Sequence, residues 1–276
     1  MQKPLIHPSS DITLTRLMRD LPQSLLLAGP IGVGLGTIAQ YIARSIGAST
    51  ITVLPEKDDK VNLDKGVISV DSIRRLYLQT RTIVRGQRLI IIDYAERMGH
   101  QAQNAFLKLL EEPGEGSYFI LVTHSPSRLL PTITSRTQLI ELRPITSTQT
   151  ETFLDSLAVS DVTKRRQLLF MAAGLPAELS RLVSDDAYFE SRAEIVRDAR
   201  DILQASTYRK LLVAHKYKDD RAGALTLLTD AGSILRRSII AKPQESLVLQ
   251  IDALLFAHAQ IRANGNIRLC LARLMV

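Results

Sequence analysis

Residues 25–37 read LLLAGPIGVGLGT, an apolar run that breaks into a glycine-rich turn and then into a helical pattern. Gly29 and Gly34 stand at the two glycine positions of a phosphate loop, G-x-x-x-x-G-K-[ST]. A strand that feeds such a loop and then a helix is the first half of a βαβ unit. This stretch therefore commits the chain to a parallel sheet with helices on its faces. The loop's usual chemistry is missing. A lysine in the next position would reach the β/γ-phosphates, and a Ser or Thr after it would hold Mg²⁺. Here those positions are Leu35 and Gly36, which can do neither. Thr37 and the backbone N–H groups of the loop are what remain to cradle a phosphate.

The rest of residues 1–145 keeps the same rhythm. Short apolar runs fall at Leu25–Ala28, Leu89–Ile92, Tyr118–Val122 and Leu139–Leu142, with helical patterns at about 36–46, 71–85 and 101–112. Strands alternating with helices predict a parallel α/β sheet. Pro55–Gly66 is polar and predicts a surface loop. After Pro144 the strand signals stop. Residues 146–205 predict short helices, with Ser147 as an N-cap and Gly174-Leu175-Pro176 as a break. From Ser206 the pattern is helical, broken at Lys242-Pro243 and Asn264-Gly265. The expected domains are 1–145, 146–205 and 206–276.

A second phosphate-site element is RLIIIDYAERM, 88–98. Four apolar residues running into Asp93 have the form of a Walker B strand, whose Asp helps hold Mg²⁺. A hydrolysing site normally puts Glu directly after that Asp, to orient water. Here that position is Tyr94, and Glu96 lies two residues further on.

Composition sets outer limits. The chain has 276 residues and a net charge of +7. The balance is uneven: +4 over 1–145, −3 over 146–205 and +6 over 206–276. Such sign changes suggest separate modules, and the basic excess favours polyanionic partners. Cys270 is the single cysteine, which leaves no Cys-rich zinc site. No apolar run of about 18 residues is present, so no membrane span is expected. The first residues, MQKPLIHPSSD, lack an apolar signal core. A cytoplasmic location is the expectation.

Residues 70–146 carry a resemblance. VDSIRRLYLQT, LIIIDYAERM, AQNAFLKLLEEP, YFILVTHSPSRLLPTITSR and LIELRPIT together resemble the clamp-loader branch of the AAA+ proteins. The likeness is greatest to the delta-prime-type subunits of bacterial DNA polymerase III clamp loaders. Asn104–Pro113 and Leu129–Arg136 match that family's N-A-L-L-K-x-L-E-E-P and L-L-P-T-I-x-S-R-C almost residue by residue, with Thr137 in place of the last cysteine. The C-terminal third is similar to the family's collar more loosely, through Ala263-Asn264-Gly265-Asn266.

The resemblance implies a RecA-like AAA+ parallel-sheet domain, a small helical lid and an all-α collar. It implies that Arg136, after Ser135, is an arginine finger acting on ATP bound by a neighbouring subunit, since a guanidinium can stabilise charge on transferring phosphoryl oxygens. Thr123 takes the sensor 1 position. Gly29, Gly34, Thr37, Asp93 and Thr123 form a nucleotide site expected to be empty or weak. The lid's usual arginine falls on or near Glu178, with Arg181 close by. No cofactor of its own is expected: ATP and Mg²⁺ would sit in neighbours, and zinc is absent. The implied partners are tau/gamma-type and delta-type subunits, the sliding clamp and primer–template DNA, with no membrane. Arg74, Arg75, Arg81 and Arg85, with Arg88 nearby, form a basic stripe that could neutralise phosphates or be a solvated helix face. The implied function is that of a non-catalytic subunit of the polymerase III holoenzyme. Two alternatives remain: a clamp-loader-like ATPase with slow turnover, and a pseudo-ATPase adaptor outside replication.

Overall fold

The computed structural model describes residues 3–63, 65–80 and 86–275. It divides into two compact units, Met1–Ser160 with Ala172–Ser180, and Asp161–Met171 with Arg181–Val276.

The first unit begins with helix α1, Pro8–Leu17, and strand β1, Ser24–Ala28. Helix α2, Leu35–Ser45, leads to β2, Ser49–Val53, and to a minimal hairpin of β3, Glu56–Lys57, and β4, Lys60–Val61. That hairpin lies within the stretch expected to be a loop. Helix α3, Val70–Thr80, precedes β5, Arg88–Ile92, and α4, His100–Glu111, precedes β6, Ser117–Thr123. A single turn, α5, Pro131–Thr134, leads to β7, Gln138–Glu141, and α6 follows at Ser147–Ser156. The N-cap of α6 is Thr146, one residue before the expected Ser147, in a reciprocal capping box with Gln149.

The main sheet runs β2-β5-β6-β1-β7, every pair parallel. β1, β5 and nearly all of β6 are buried on both faces, as a helix-covered parallel sheet requires. Strand alternation sorts their side chains. Leu25, Leu27, Leu89, Ile91, Ile120 and Val122 pack on one face against Ile38, Ala39 and Ile42 of α2. Leu26, Ile90, Ile92, Phe119 and Leu121 pack on the other against Ile73 and Leu76 of α3 and Phe106 and Leu109 of α4. From β1 the chain crosses to the far edge at β2, whereas β7 lies on β1's other side. The carboxyl end of β1 is thus a topological switch point, where open α/β sheets form ligand crevices.

Two helices cross the boundary between the units: α7, Val162–Ala172, and α8, Pro176–Ser184. The second unit continues with α9, Asp186–Gln204; α10, Thr207–Lys216; α11, Arg221–Ala241; α12, Glu245–Arg262; and α13, Ile267–Ala272. Its apolar cluster joins Ala199 and Ile202 of α9 to Val213, Leu227, Leu254 and Leu271. The helices α9 and α11 are also tied by a buried bidentate pair, Arg192 to Asp230, at 2.9 and 3.3 Å. Asn264 takes the left-handed conformation that asparagine tolerates, and Asn266 caps α13. Among the described residues no helix is long and apolar enough to cross a membrane.

Candidate functional site

The glycine loop leaves the buried end of β1. The Gly29 N–H donates to the Thr123 carbonyl at 3.3 Å. A Cβ at Gly29 would lie 2.8 Å from the Leu142 carbonyl oxygen, inside any real contact distance. Gly34 takes a left-handed φ of 93° as the N-cap of α2. Between them the Gly32 carbonyl accepts the Ala177 N–H of α8 at 3.0 Å. The expected lid helix therefore bonds directly to the loop, and Glu178 stands over Gly32.

The two residues after Gly34 are placed differently. Leu35 is 3% exposed and belongs to the apolar cluster beneath the sheet. A Cβ at Gly36 would lie 3.5 Å from Asp93 Oδ2. Position 36 and Asp93 thus face each other as a magnesium-holding hydroxyl and carboxylate would, but position 36 has no side chain. With no ammonium at 35 and no hydroxyl at 36, this donor set does not suit a magnesium triphosphate. Thr37 is exposed and lines a cleft of about 870 Å³ with Lys3, Gly34, Gln149, Phe153 and Ala177.

Asp93 closes β5. Its Oδ1 accepts the Tyr94 N–H at 3.0 Å. Burial pushes its carboxyl above the ordinary aspartate range; the Tyr94 N–H and His124 oppose this, and Glu96 adds to it. Tyr94 is left-handed, with φ 54°, and its ring meets the His124 ring edge-on at 5.3 Å. His124 Nδ1 lies 2.9 Å from the Gly29 carbonyl oxygen. A carbonyl only accepts, so that nitrogen carries the proton. The His124 N–H donates to Glu96 Oε1 at 3.3 Å, and among the described residues Glu96 Oε2 is buried without a hydrogen-bond partner. Thr123 is fully buried, and its hydroxyl oxygen accepts the Ser125 N–H at 3.1 Å. Sequence reasoning did not single out His124. The one available signal was its place directly after Thr123, at the mouth of a strand beside the loop.

Arg136 sits elsewhere in this unit, one residue beyond the C-cap of α5. Pro131 starts this turn and buried Ile133 anchors it. The Arg136 guanidinium donates to the Thr132 carbonyl at 3.2 Å and pairs with Glu111 Oε1, at the end of α4, at 3.0 Å. The Ser135 hydroxyl donates to the same carbonyl of Thr132 at 3.2 Å.

Of the basic stripe, Arg74 and Arg75 are exposed on α3. Arg74 pairs with Asp71 at 3.1 Å, and Arg75 with Glu56 at 3.2 Å. Arg88 departs from the stripe: it is the first residue of β5, is buried, and donates to the Gln79 carbonyl. Arg81 and Arg85 lie outside the described residues. Arg74 borders a groove of about 780 Å³ between α3 and α4, together with Tyr77, Leu78, Asn104 and Lys108. Among the described residues, no group of three or more His, Cys, Asp or Glu side chains is placed to hold a metal.

The family described as "DNA polymerase III, delta subunit" matches residues 17–146. DNA polymerase III subunit delta' of Bacillus subtilis is 36% identical over 112 residues, covering 40% of this chain and 33% of that protein. The subunit of the same name from Pseudomonas aeruginosa is 28% identical over 206 residues, covering 65% and 61%. The chain thus spans less than two thirds of either relative. The crystal structure of a DNA polymerase III gamma subunit-related protein from Thermotoga maritima superposes with a TM-score of 0.53 at 18% identity, covering 96% of both chains. At that identity the likeness carries the fold alone, and the fold is that of AAA+ proteins. Residues 17–146, a little under half of the chain, thus match the DNA polymerase III delta-subunit family, and the chain is similar to the delta' subunits of bacterial DNA polymerase III.

Proposed function

We propose that this chain is a non-hydrolysing, delta'-like subunit of a replicative clamp loader. It supplies Arg136 to an ATP site completed by a neighbouring subunit and so helps place the sliding clamp on primed DNA. The observation that carries this reading is an asymmetry. The chain presents an exposed arginine on a rigid turn, while its own loop offers leucine and glycine where a lysine and a hydroxyl are needed. A finger supplied in trans needs only the first of these.

Partner subunits of tau/gamma and delta type fit a second feature. Helix α12 buries Leu254, Ala257 and Ile261 within its own unit, yet leaves Leu249 66% and Leu255 63% exposed, with Val248 and Phe256 half exposed. An apolar surface of this kind marks a protein contact. Leu249→Asp with Leu255→Asp should leave the helical content unchanged and abolish co-elution with a tau/gamma-type subunit. Full retention of assembly would remove α12 from the interface. Arg74 and Lys108, on the α3–α4 groove, are the residues offered to primer–template phosphates. The deciding experiment is a pull-down with a tau/gamma-type subunit, with the ATPase rate of the resulting complex measured for wild type and Arg136→Ala. Failure to assemble rejects the family role, and assembly with an unchanged rate rejects the finger alone.

One observation favours a second reading, in which the chain binds nucleotide and turns it over slowly. The cleft beside Thr37 opens onto the first turn of α2, whose N–H groups suit an anion. Equilibrium binding of labelled ATP separates the two readings.

A further inference from the structure

In the second unit, α7, α9 and α11 enclose a cleft of about 580 Å³ whose lining includes Arg166, Arg197, Arg200 and Arg237, and no carboxylate. All four arginines are exposed. Among the described residues none of them makes an ion pair.

That concentration is not a by-product of a generally basic surface, because the acids of α9 nearest Arg197 and Arg200 in sequence are occupied elsewhere. Glu194 and Asp198 both pair with Lys216, Asp198 also accepts the Tyr217 hydroxyl, and Asp201 pairs with Arg209. Each of these partners comes from α10 or the residue just after it. Arg197 also attracts Glu194 electrostatically, but that carboxylate is already held by Lys216. Charge is thus segregated along this part of α9: Glu194, Asp198 and Asp201 are satisfied toward α10, Asp186 pairs with Lys164 of α7, and Arg197 and Arg200 are left to the cleft. Arg237 is further fixed by stacking on the Phe170 ring, with 4.6 Å from guanidinium carbon to ring centroid. A stacked guanidinium keeps its in-plane N–H donors available for a ligand. Thr163 and Gln167 add neutral hydrogen-bonding groups at the rim.

Four guanidiniums from three helices, with no lysine among the lining residues, form a binding surface for closely spaced oxyanions. Arginine offers paired N–H donors that match phosphate oxygens two at a time. We propose that this cleft is a phosphate-binding site on the helical unit, separate from the loop after β1 and from the α3–α4 groove, that takes a phosphodiester strand or a compact polyphosphate. The proposal does not depend on the finger role of Arg136 or on assembly with other subunits.

The test uses the full chain and fluorescence anisotropy of a labelled oligothymidylate over a range of salt concentrations. Arg166→Gln with Arg200→Gln should weaken binding by about tenfold and reduce the salt slope by about 2, one for each phosphate that is no longer neutralised. Arg74→Gln with Arg75→Gln is the comparison on the other unit. Both arginines of the cleft variant are exposed, so its thermal midpoint should match wild type. Inorganic tripolyphosphate distinguishes the sources: displacement at matched phosphate concentration assigns the cleft to a free polyphosphate, and resistance assigns it to a strand. Unchanged affinity and slope in the Arg166/Arg200 variant overturn the proposal. So does poly-glutamate that competes as well as the oligonucleotide, charge for charge, because the cleft would then be an acidic-peptide site.

Discussion

The guanidinium of Arg136 is held 3.0 Å from the carboxylate of Glu111. Both side chains are about half exposed, at 43% and 53%, so the pair contributes only about 0–1 kcal/mol to stability. It must nevertheless break before Arg136 can reach a phosphate on another subunit. Glu111→Gln should therefore leave the thermal midpoint nearly unchanged and raise the finger-dependent ATPase of an assembled loader by up to about fivefold. Arg136→Ala should lower that rate in the same complex. A slower rate for Glu111→Gln would mean that the carboxylate aims the finger rather than competing for it.

Leu35→Lys restores the lysine of the loop motif, but it does so at a position buried in the apolar cluster. Placing an ammonium there should cost about 1–3 kcal/mol of stability, less whatever the long stem recovers by reaching solvent. Urea unfolding should show a lower midpoint, and ATP hydrolysis should stay at background because positions 36 and 94 are still Gly and Tyr. A variant as stable as wild type with measurable turnover contradicts both parts.

Asp93 gives a pH dependence of definite sign. Its carboxyl lies above the ordinary range in the folded chain because burial disfavours its charge. The folded state therefore holds this proton to a higher pH than the unfolded state, and stability falls as pH rises from the ordinary value of about 3.9 through the raised folded one. Asp93→Asn keeps an acceptor for the Tyr94 N–H while removing the charge. It should be more stable than wild type at pH 7, with the difference disappearing near pH 4, about the unfolded value. Equal stability of the two proteins at pH 7 would show that burial does not penalise this carboxylate.

Asp230→Ala tests the buried pair between α9 and α11. Removing the carboxylate breaks a buried bidentate ion pair, and breaking such a pair from one side typically costs about 3–5 kcal/mol. Chemical denaturation should show a marked loss of stability in the helical unit. A loss below about 1 kcal/mol would place this pair with the exposed bridges.

The inner strands of the sheet were legible because β1, β5 and β6 are covered on both faces and read as unbroken apolar runs. β7 was found the same way, although only Ile140 of its four residues is buried. β2 was not found. As an edge strand it is written STITV, largely exposed, with no apolar run to mark it. The helices α2, α3 and α4 begin one residue before the patterns that announced them. The ion pairing of the arginine stripe was not legible for a three-dimensional reason. A helical wheel does not show that Glu56 folds back to Arg75 from 19 residues away, or that the strand begins by burying Arg88. His124 escaped notice because its contact with Gly29 spans 95 residues.

The close approach of the Leu142 carbonyl to Gly29 bears on how such loops are recognised. A side chain at position 29 would push β7's continuation away from β1, and a left-handed turn at 34 is needed to start α2 whatever the loop holds. Both requirements come from carpentry, the joint between strand, turn and helix, and would persist in a chain that never met a nucleotide. Glycine spacing in a loop of this type is therefore a marker of architecture. The capacity to hold a magnesium triphosphate is written in the two residues that follow, and here one of them, Leu35, has been turned to packing.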